Sequence, residues 1–225
     1  TLVTVVDRSF SCPNLERYII PNGNPVFDIR NNSVIETATN RLIAGAILSS
    51  KIHESVTTIG QSAFEGCSSI KELIIPDNVA VIGNSAFRDL SQLTSIKVPA
   101  SVKRIEKNTF YGCPLTSIEL SEGIEHIGYY AFFNNSITTI TIPKSVVSMA
   151  SFAVKSSRLI SIYCKPITPP TLSEDRYLHA GPFGGYDSDD LDAIIYVPNE
   201  SLAVYKSAES WSGYSGKYVG YDFEN

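Results

Sequence analysis

The chain has 225 residues, of which 43% are apolar and 18% charged, and a net charge of −5 at neutral pH. That length can bury a sizeable core, and the composition argues against a disordered or collagen-like polymer. An acidic balance with no block of Lys or Arg argues against a nucleic-acid partner. The longest apolar runs, such as Ala193 to Val197, fall far short of the roughly 20 residues a membrane-spanning helix needs, so no span is expected in this chain.

The chain opens at Thr1 with neither a charged n-region nor a cleavage site. The expectation is either a cytoplasmic protein or one whose targeting segment has been removed. The first residues, Leu2, Val5 and Phe10, with Cys12 ahead of Leu15, already sit in the register of the repeat described below. No N-terminal cap is legible there, and the full gene product is expected to carry upstream residues. Between Asn22 and Gly45 the chain departs from the repeat path and delays the next copy by about one unit. Asn31-Asn32 and Thr39-Asn40 read as its turns. Two readings of this insertion stay open: a contributor to binding, or decoration.

From Val56 onward a repeat organises the sequence. Val56-Thr-Thr-Ile59-Gly60-Gln-Ser-Ala63-Phe64 aligns with Val79-Ala-Val-Ile82-Gly83-Asn-Ser-Ala86-Phe87. The match continues at Val102, Ile124 and Val146, at offsets of 23, 23, 22 and 22 residues. Behind each Phe comes a second apolar block, such as Leu73, Ile75 and Pro76, or Leu93, Ile96, Val98 and Pro99, with the pattern L-x-x-I-x-I-P. A fixed period in the twenties with L-x-x-L-x-L in every copy is the leucine-rich-repeat signature. One such unit cannot bury its apolar face alone, so copies stack. The I-x-I-P stretch, with its period-2 alternation, predicts a short strand, and stacked strands build a parallel sheet at about 4.8 Å per copy. Gly60, Gly83 and Gly128 recur where a side chain would obstruct the turn.

The predicted fold is therefore a leucine-rich-repeat solenoid over residues 1–165. It has a parallel β-sheet on its concave face and short strands, turns and 3-10 segments on its convex face. The Pro-rich break at Pro166 to Pro170 opens a second region, 166–225, a divergent last repeat plus a small α+β cap. Phe183 and the strand-like Ala193 to Val197 mark the divergent repeat, and Asn199 is placed to cap a helix through Leu202 and Tyr205 toward Trp211. Seven of the 12 tyrosines lie beyond Pro170 with the only Trp. These rings form either a packed capping core or an exposed platform for sugars or a protein.

Chemistry-bearing residues are sparse. Cys67 and Cys113 share one register position two repeats apart, too far for a disulfide, and read as core; Cys164 has no evident register equivalent. His53, His126 and His179 are scattered, with His53 at a strand end. The acidic run from Asp187 to Asp192 lacks the Gly and terminal Glu of a calcium loop and reads as a solvated loop. Carboxylates such as Glu119 and Glu125 occur singly. The expectation is no enzyme, no metal and no cofactor.

A solenoid binds through its concave face, and the outward positions of the strands there are Glu72, Ile74, Ser95, Lys97, Ser117, Glu119, Thr139, Thr141, Ser161 and Tyr163. This row of mostly small polar side chains suits a broad protein contact better than a small-molecule pocket.

The G-x-x-A-F-x-G-C motif at Gly60 to Cys67, followed by L-x-x-I-x-I-P, resembles the BspA-like leucine-rich-repeat proteins of gut and oral bacteria, and the similarity covers nearly the whole chain. The segments Gly23 to Phe27 and Val34 to Gly45 look like the hairpin insertion of such proteins, and Ile195 to Pro198 with Tyr205, Lys206 and Trp211 resembles their C-terminal cap. Asp89-Leu90 and Asn134-Asn135 depart from the Gly-Cys pair, and the copy at Ala153-Val154 lacks its Phe. The resemblance implies a secreted or surface-anchored protein that contacts other macromolecules through its repeats, with no catalytic residues to carry over; the expected partner is a host, extracellular-matrix or bacterial protein. The alternatives are a structural spacer within a larger surface protein and a carbohydrate-binding module using the C-terminal aromatics, with a hydrolase a distant fourth.

Overall fold

Each copy of the repeat contributes two extended segments, because each carries two short blocks of β-branched residues separated by turns. A computed structural model describes residues 18–46, 50–173, 181–184, 191–209 and 211–224. The elements in chain order are β1 (Phe27–Arg30), β2 (Ser33–Glu36), β3 (Arg41–Gly45), β4 (Thr58–Ile59), β5 (Val81–Ile82), β6 (Ser95–Val98), β7 (Arg104–Ile105), β8 (Ser117–Leu120), β9 (His126–Ile127), β10 (Thr139–Ile142), β11 (Ser148–Ala150), β12 (Ser161–Cys164), β13 (Thr171–Ser173), β14 (Ile194–Pro198), α1 (Leu202–Ser207) and β15 (Tyr218–Tyr221).

The I-x-I-P block forms strands stacked in parallel, β6 on β8 and β10 on β12, β14 and β15, with Ile74 bridging Lys51 in the earlier copy. The first apolar block forms the longer ladder. There β3, β4, β5, β7, β9, β11 and β13 follow one another in sequence order, all parallel. Between the two ladders lies one continuous core that runs from Ile35 to Tyr218.

The turn between the ladders explains the motif residue by residue. Two residues before the Phe position of each copy the backbone is left-handed: Ser62, Ser85, Asn108, Tyr130 and Phe152 all have φ between 54° and 57°. The left-handed conformation costs an L-residue about 1–2 kcal/mol. A second left-handed position follows at Gly66, Asp89, Gly112 and Asn134. Asp and Asn are the non-glycine residues that best tolerate it, so the two departures from Gly obey the same backbone rule. Their neighbours keep the buried role of Cys. Leu90 is fully buried, and the Asn135 side-chain amide donates to the Phe110 carbonyl (3.1 Å) as the Cys113 thiol does to that of Phe87 (3.0 Å). A side chain at Gly83 would meet the Gln61 amide at 2.7 Å, so that glycine serves close approach of successive turns.

Phe64, Phe87, Phe110 and Phe132, all fully buried, stack along the axis with ring centroids 5.6, 5.2 and 5.3 Å apart. Their amides donate to the carbonyls of Ala86, Thr109, Ala131 and Ala153 in the next turn. At the N-terminal end of this spine Gly45 holds the register of the Phe, its amide donating to Ala63, and the Phe64 ring lies where a Gly45 side chain would be.

The insertion does not leave the sheet. β1, β2 and β3 form an antiparallel meander whose first turn has Asn31 and Asn32 at φ 46° and 59°, the requirement of a type I′ hairpin, and β3 then pairs in parallel with β4. The insertion thus supplies the first strand of the long ladder and shields it with an antiparallel edge. The register assigned to Leu2, Val5, Phe10, Cys12 and Leu15 concerns residues outside those described.

At the other end, β14 and β15 extend the strand ladder in register. Over them Tyr205, Trp211, Tyr214 and Tyr218 form a buried aromatic cluster with Phe183. Each polar tip is bonded: Trp211 Nε1 to Pro170 (2.7 Å), Tyr205 to Pro166 (2.8 Å), Tyr214 to Gly184 (2.9 Å) and Tyr218 to the Trp211 carbonyl (2.9 Å). The predicted helix is shorter than expected, and Asn199 does not cap it. Asn199–Ser201 is itself a 3-10 turn set by Pro198, α1 ends at Ser207, and Trp211 opens a second 3-10 segment. Tyr177 and Tyr186 lie outside the described residues.

Truncating one ring of the spine opens a cavity that neighbouring turns, fixed by their hydrogen bonds, cannot close. Phe110→Ala is expected to lower the unfolding free energy by about 3–5 kcal/mol in urea titration, against about 0.5 kcal/mol or less for exposed Thr139→Ala.

Candidate functional site

Outward side chains of the strand ladder fall on one face because alternation along each strand and register between strands both hold. Ser95 pairs with Ser117, Lys97 with Glu119, Thr139 with Ser161 and Thr141 with Tyr163. Eight of the ten predicted residues, Glu72 to Thr141, are exposed, and Ser161 and Tyr163 are half-buried. Lys97 and Glu119 form an ion pair of 2.5 Å, and the carboxylate holds the Lys97 ammonium above its ordinary range. Ile74, at 59% exposure, is the exposed apolar residue of a shallow hollow floored by Leu73 and Ile96 and shared with Glu72, Ser95, Lys97 and Glu119.

At its C-terminal end the row changes character. Tyr163 stacks on Tyr196 at 4.8 Å, and Tyr221 packs edge-on against both at 5.5 and 5.6 Å, with Phe223 beside it. Lys165 lies 6.0 Å above the Phe223 ring. Tyr221 and Phe223 border an open groove of about 320 Å³ in which Lys144 pairs with Glu224. Tyr196 and Tyr221 are among the tyrosines beyond Pro170 expected in a capping core or an exposed platform, whereas Phe223 has no signal in the sequence. Alternation in Ile195-Tyr196-Val197 points Tyr196 outward, but the β15 segment carries no copy of the repeat motif to announce it.

The model of the BspA type leucine rich repeat region matches residues 44–160 in six copies, just over half of the chain. The chain belongs to this family. Solved structures of the same fold include the pneumococcal vaccine antigen PcpA, 16% identical, with a TM-score of 0.64 over 90% of this chain and 49% of that one. A leucine-rich repeat protein from Eubacterium ventriosum is 14% identical, with a TM-score of 0.64 over 94% of this chain and 55% of that one. This BspA-type chain spans about half the length of the solved structures it matches. No curated protein sequence matches it.

Two histidines and the buried thiols of this BspA-type repeat are tied into the stack. His126 Nδ1 and Ser148 Oγ are 2.7 Å apart across neighbouring turns, and partial burial together with the Arg104 charge lowers the imidazole pKa. His53 Nδ1 bonds Ser55, whose hydroxyl also accepts from Arg30 of the insertion (2.6 Å). Cys164 does have a register equivalent, contrary to the sequence reading. It pairs with Ile142 and fills the last inward position of its strand, 3.4 Å from the Tyr205 hydroxyl. Cys67, Cys113 and Cys164 are all buried, and burial pushes the Cys113 and Cys164 thiols up to about 12. His179 and Asp187 to Asp190 lie outside the described residues. Among the described residues no three His, Cys, Asp or Glu side chains are placed to hold a metal ion, and no helix is long and apolar enough to cross a membrane.

These thiols give a direct test of the core. In a Cys12→Ser background, Cys67, Cys113 and Cys164 are expected to resist iodoacetamide at mildly alkaline pH and to react once the chain is unfolded, as read by mass spectrometry. The unfolded chain ionises Cys113 and Cys164 from their ordinary 9.0, while the folded chain keeps them protonated to about 12. Their contribution to stability is therefore complete below pH 9 and lost as pH rises through that window.

Proposed function

We propose that this chain is a non-enzymatic scaffold, displayed outside the cell, that binds a protein of host or extracellular-matrix origin through its strand face. The observation that carries this reading is the set of outward side chains in two in-register blocks, Ser95, Lys97, Ser117 and Glu119 on β6 and β8, then Thr139, Thr141, Ser161, Tyr163 and Tyr196 on β10, β12 and β14, with Glu72 and Ile74 exposed before the first block and Tyr221 packed beside the second. A flat, polar surface ending in stacked tyrosines has the composition of a protein interface, where aromatic anchors carry most of the energy and polar contacts set orientation. The shallowness of the hollow around Ile74 is what a broad contact needs and a small substrate does not. An extracellular location is supported by family membership and by the shared fold of PcpA, a vaccine antigen.

One further observation favours a second reading, a carbohydrate ligand at the C-terminal end: Tyr221 borders an open groove, and Tyr163 and Tyr196, packed against it, retain solvent access. Trp211, at 1% exposure, is withdrawn from that role and belongs to the cap core.

Immobilised extracellular-matrix proteins and a glycan array distinguish the readings. Wild type is expected to bind a matrix protein, with Kd raised about tenfold or more by Tyr163→Ser with Tyr196→Ser and by Glu72→Ala, Lys97→Ala and Glu119→Ala combined. Binding to glycans alone, lost with the tyrosines, moves the function to the second reading. Matrix binding that both variants retain contradicts strand-face recognition, and no binding to either surface leaves a spacer.

A further inference from the structure

The edge of the solenoid that carries the left-handed turn holds a second surface, distinct from the strand face. At the left-handed position the first three copies place Ser62, Ser85 and Asn108, and the last two place Tyr130 and Phe152. Aromatic residues are poorly suited to that backbone, and neither ring belongs to the buried core, so the packing of the fold does not require them. The fifth copy, which lacks the spine Phe, has its ring here instead, on the outside.

Around these two the same edge gathers further rings. Tyr130 lies 4.5 Å from Phe133, 5.4 Å from Phe152 and 3.8 Å from Tyr129, and Phe133 stacks on Tyr111 at 5.5 Å and 8°. All five are half-buried. Three cations cover their faces: Arg88 at 4.8 Å from the Tyr111 centroid, Lys107 at 5.2 Å from Tyr129 and Lys155 at 5.4 Å from Phe152. Arg88 is shared with Glu65 and Asp89, whereas Lys107 and Lys155 form no ion pair among the described residues.

A ring is negative on its face and positive along its edge. That charge distribution holds Arg88, Lys107 and Lys155 over the ring faces, so rings and cations together present one cationic, partly dehydrated surface on a chain of net charge −5. We propose that this edge is a docking surface for an acidic protein segment, whose carboxylates meet Lys107 and Lys155 and whose apolar side chains anchor between Tyr130, Phe133 and Phe152.

Asn favours the left-handed backbone, so Tyr130→Asn with Phe152→Asn removes the rings without straining the turn, and Lys107→Glu with Lys155→Glu reverses the charge and leaves the rings. The probe is a short fluorescein-labelled peptide alternating Asp and Leu, read by anisotropy. Its Lys-Leu counterpart and heparin serve as comparison probes. Wild type is expected to bind the acidic peptide, more weakly as salt rises. Each double variant is expected to lose about tenfold in affinity. The Glu72→Ala, Lys97→Ala and Glu119→Ala variant should bind it unchanged, which separates this surface from the strand face. The ring variant should melt no lower than wild type. Equal binding of both peptides, unchanged affinity in the two variants, or capture of heparin without the acidic peptide overturns the proposal. A large loss of melting temperature in the ring variant with peptide affinity retained in the charge variant also overturns it, by making the rings structural.

Discussion

Everything in this fold depends on the backbone register between successive turns. The amide of each spine Phe donates to the turn that follows, at 2.8 to 3.0 Å, while Gly60, Gly83 and Gly128 donate to the turn before, at 2.8 to 2.9 Å. Each turn is therefore clamped from both sides, and equivalent residues stand above one another at about the 4.8 Å of paired strands. Once that holds, a column of Phe becomes a stack of rings and a column of Ile becomes a core wall. The same constraint writes the surface, since residues 22 or 23 apart become neighbours and a gradual change of residue type along the chain becomes a spatial gradient.

The interior was legible because burial imposes one residue class on every copy. The period, the two apolar blocks, the Phe spine and the core role of Cys67 and Cys113 all follow from it. Cys164 escaped because a Cys in the last position of I-x-I breaks the apolar pattern by letter while satisfying it by size and burial. The short helix expected through Leu202 and Tyr205 toward Trp211 is present but stops at Ser207 and is not capped by Asn199, where the local signal competes with Pro198 and with the aromatic packing beyond α1. Asn31-Asn32 announced its turn correctly, yet nothing local shows that β3 joins the long ladder, because that depends on alignment of Leu42 with Ile59.

Surface features were legible only where a period points at them. The strand-face row follows from alternation within β6, β8, β10 and β12. The rings of the turn edge do not, since the positions that hold Tyr130 and Phe152 hold Ser and Asn in earlier copies and show no hydrophobic period. The discriminating signal was the mismatch itself, a bulky ring at a column that otherwise selects residues tolerant of positive φ. The molecule consequently separates its tasks: an interior that every copy shares, a strand face graded from polar to aromatic, and a turn edge graded from polar to aromatic and cationic.

Native-state hydrogen exchange tests the central claim most directly, because it reads the inter-turn bonds one amide at a time. The slowest-exchanging amides are predicted to be those of Phe64, Phe87, Phe110 and Phe132 together with Gly83 and Gly128, with protection shared across the turns as one cooperative block. Faster exchange at these amides than in the β1–β2 hairpin or the aromatic cap would contradict the account, since the ends, and not the register between turns, would then hold the structure together.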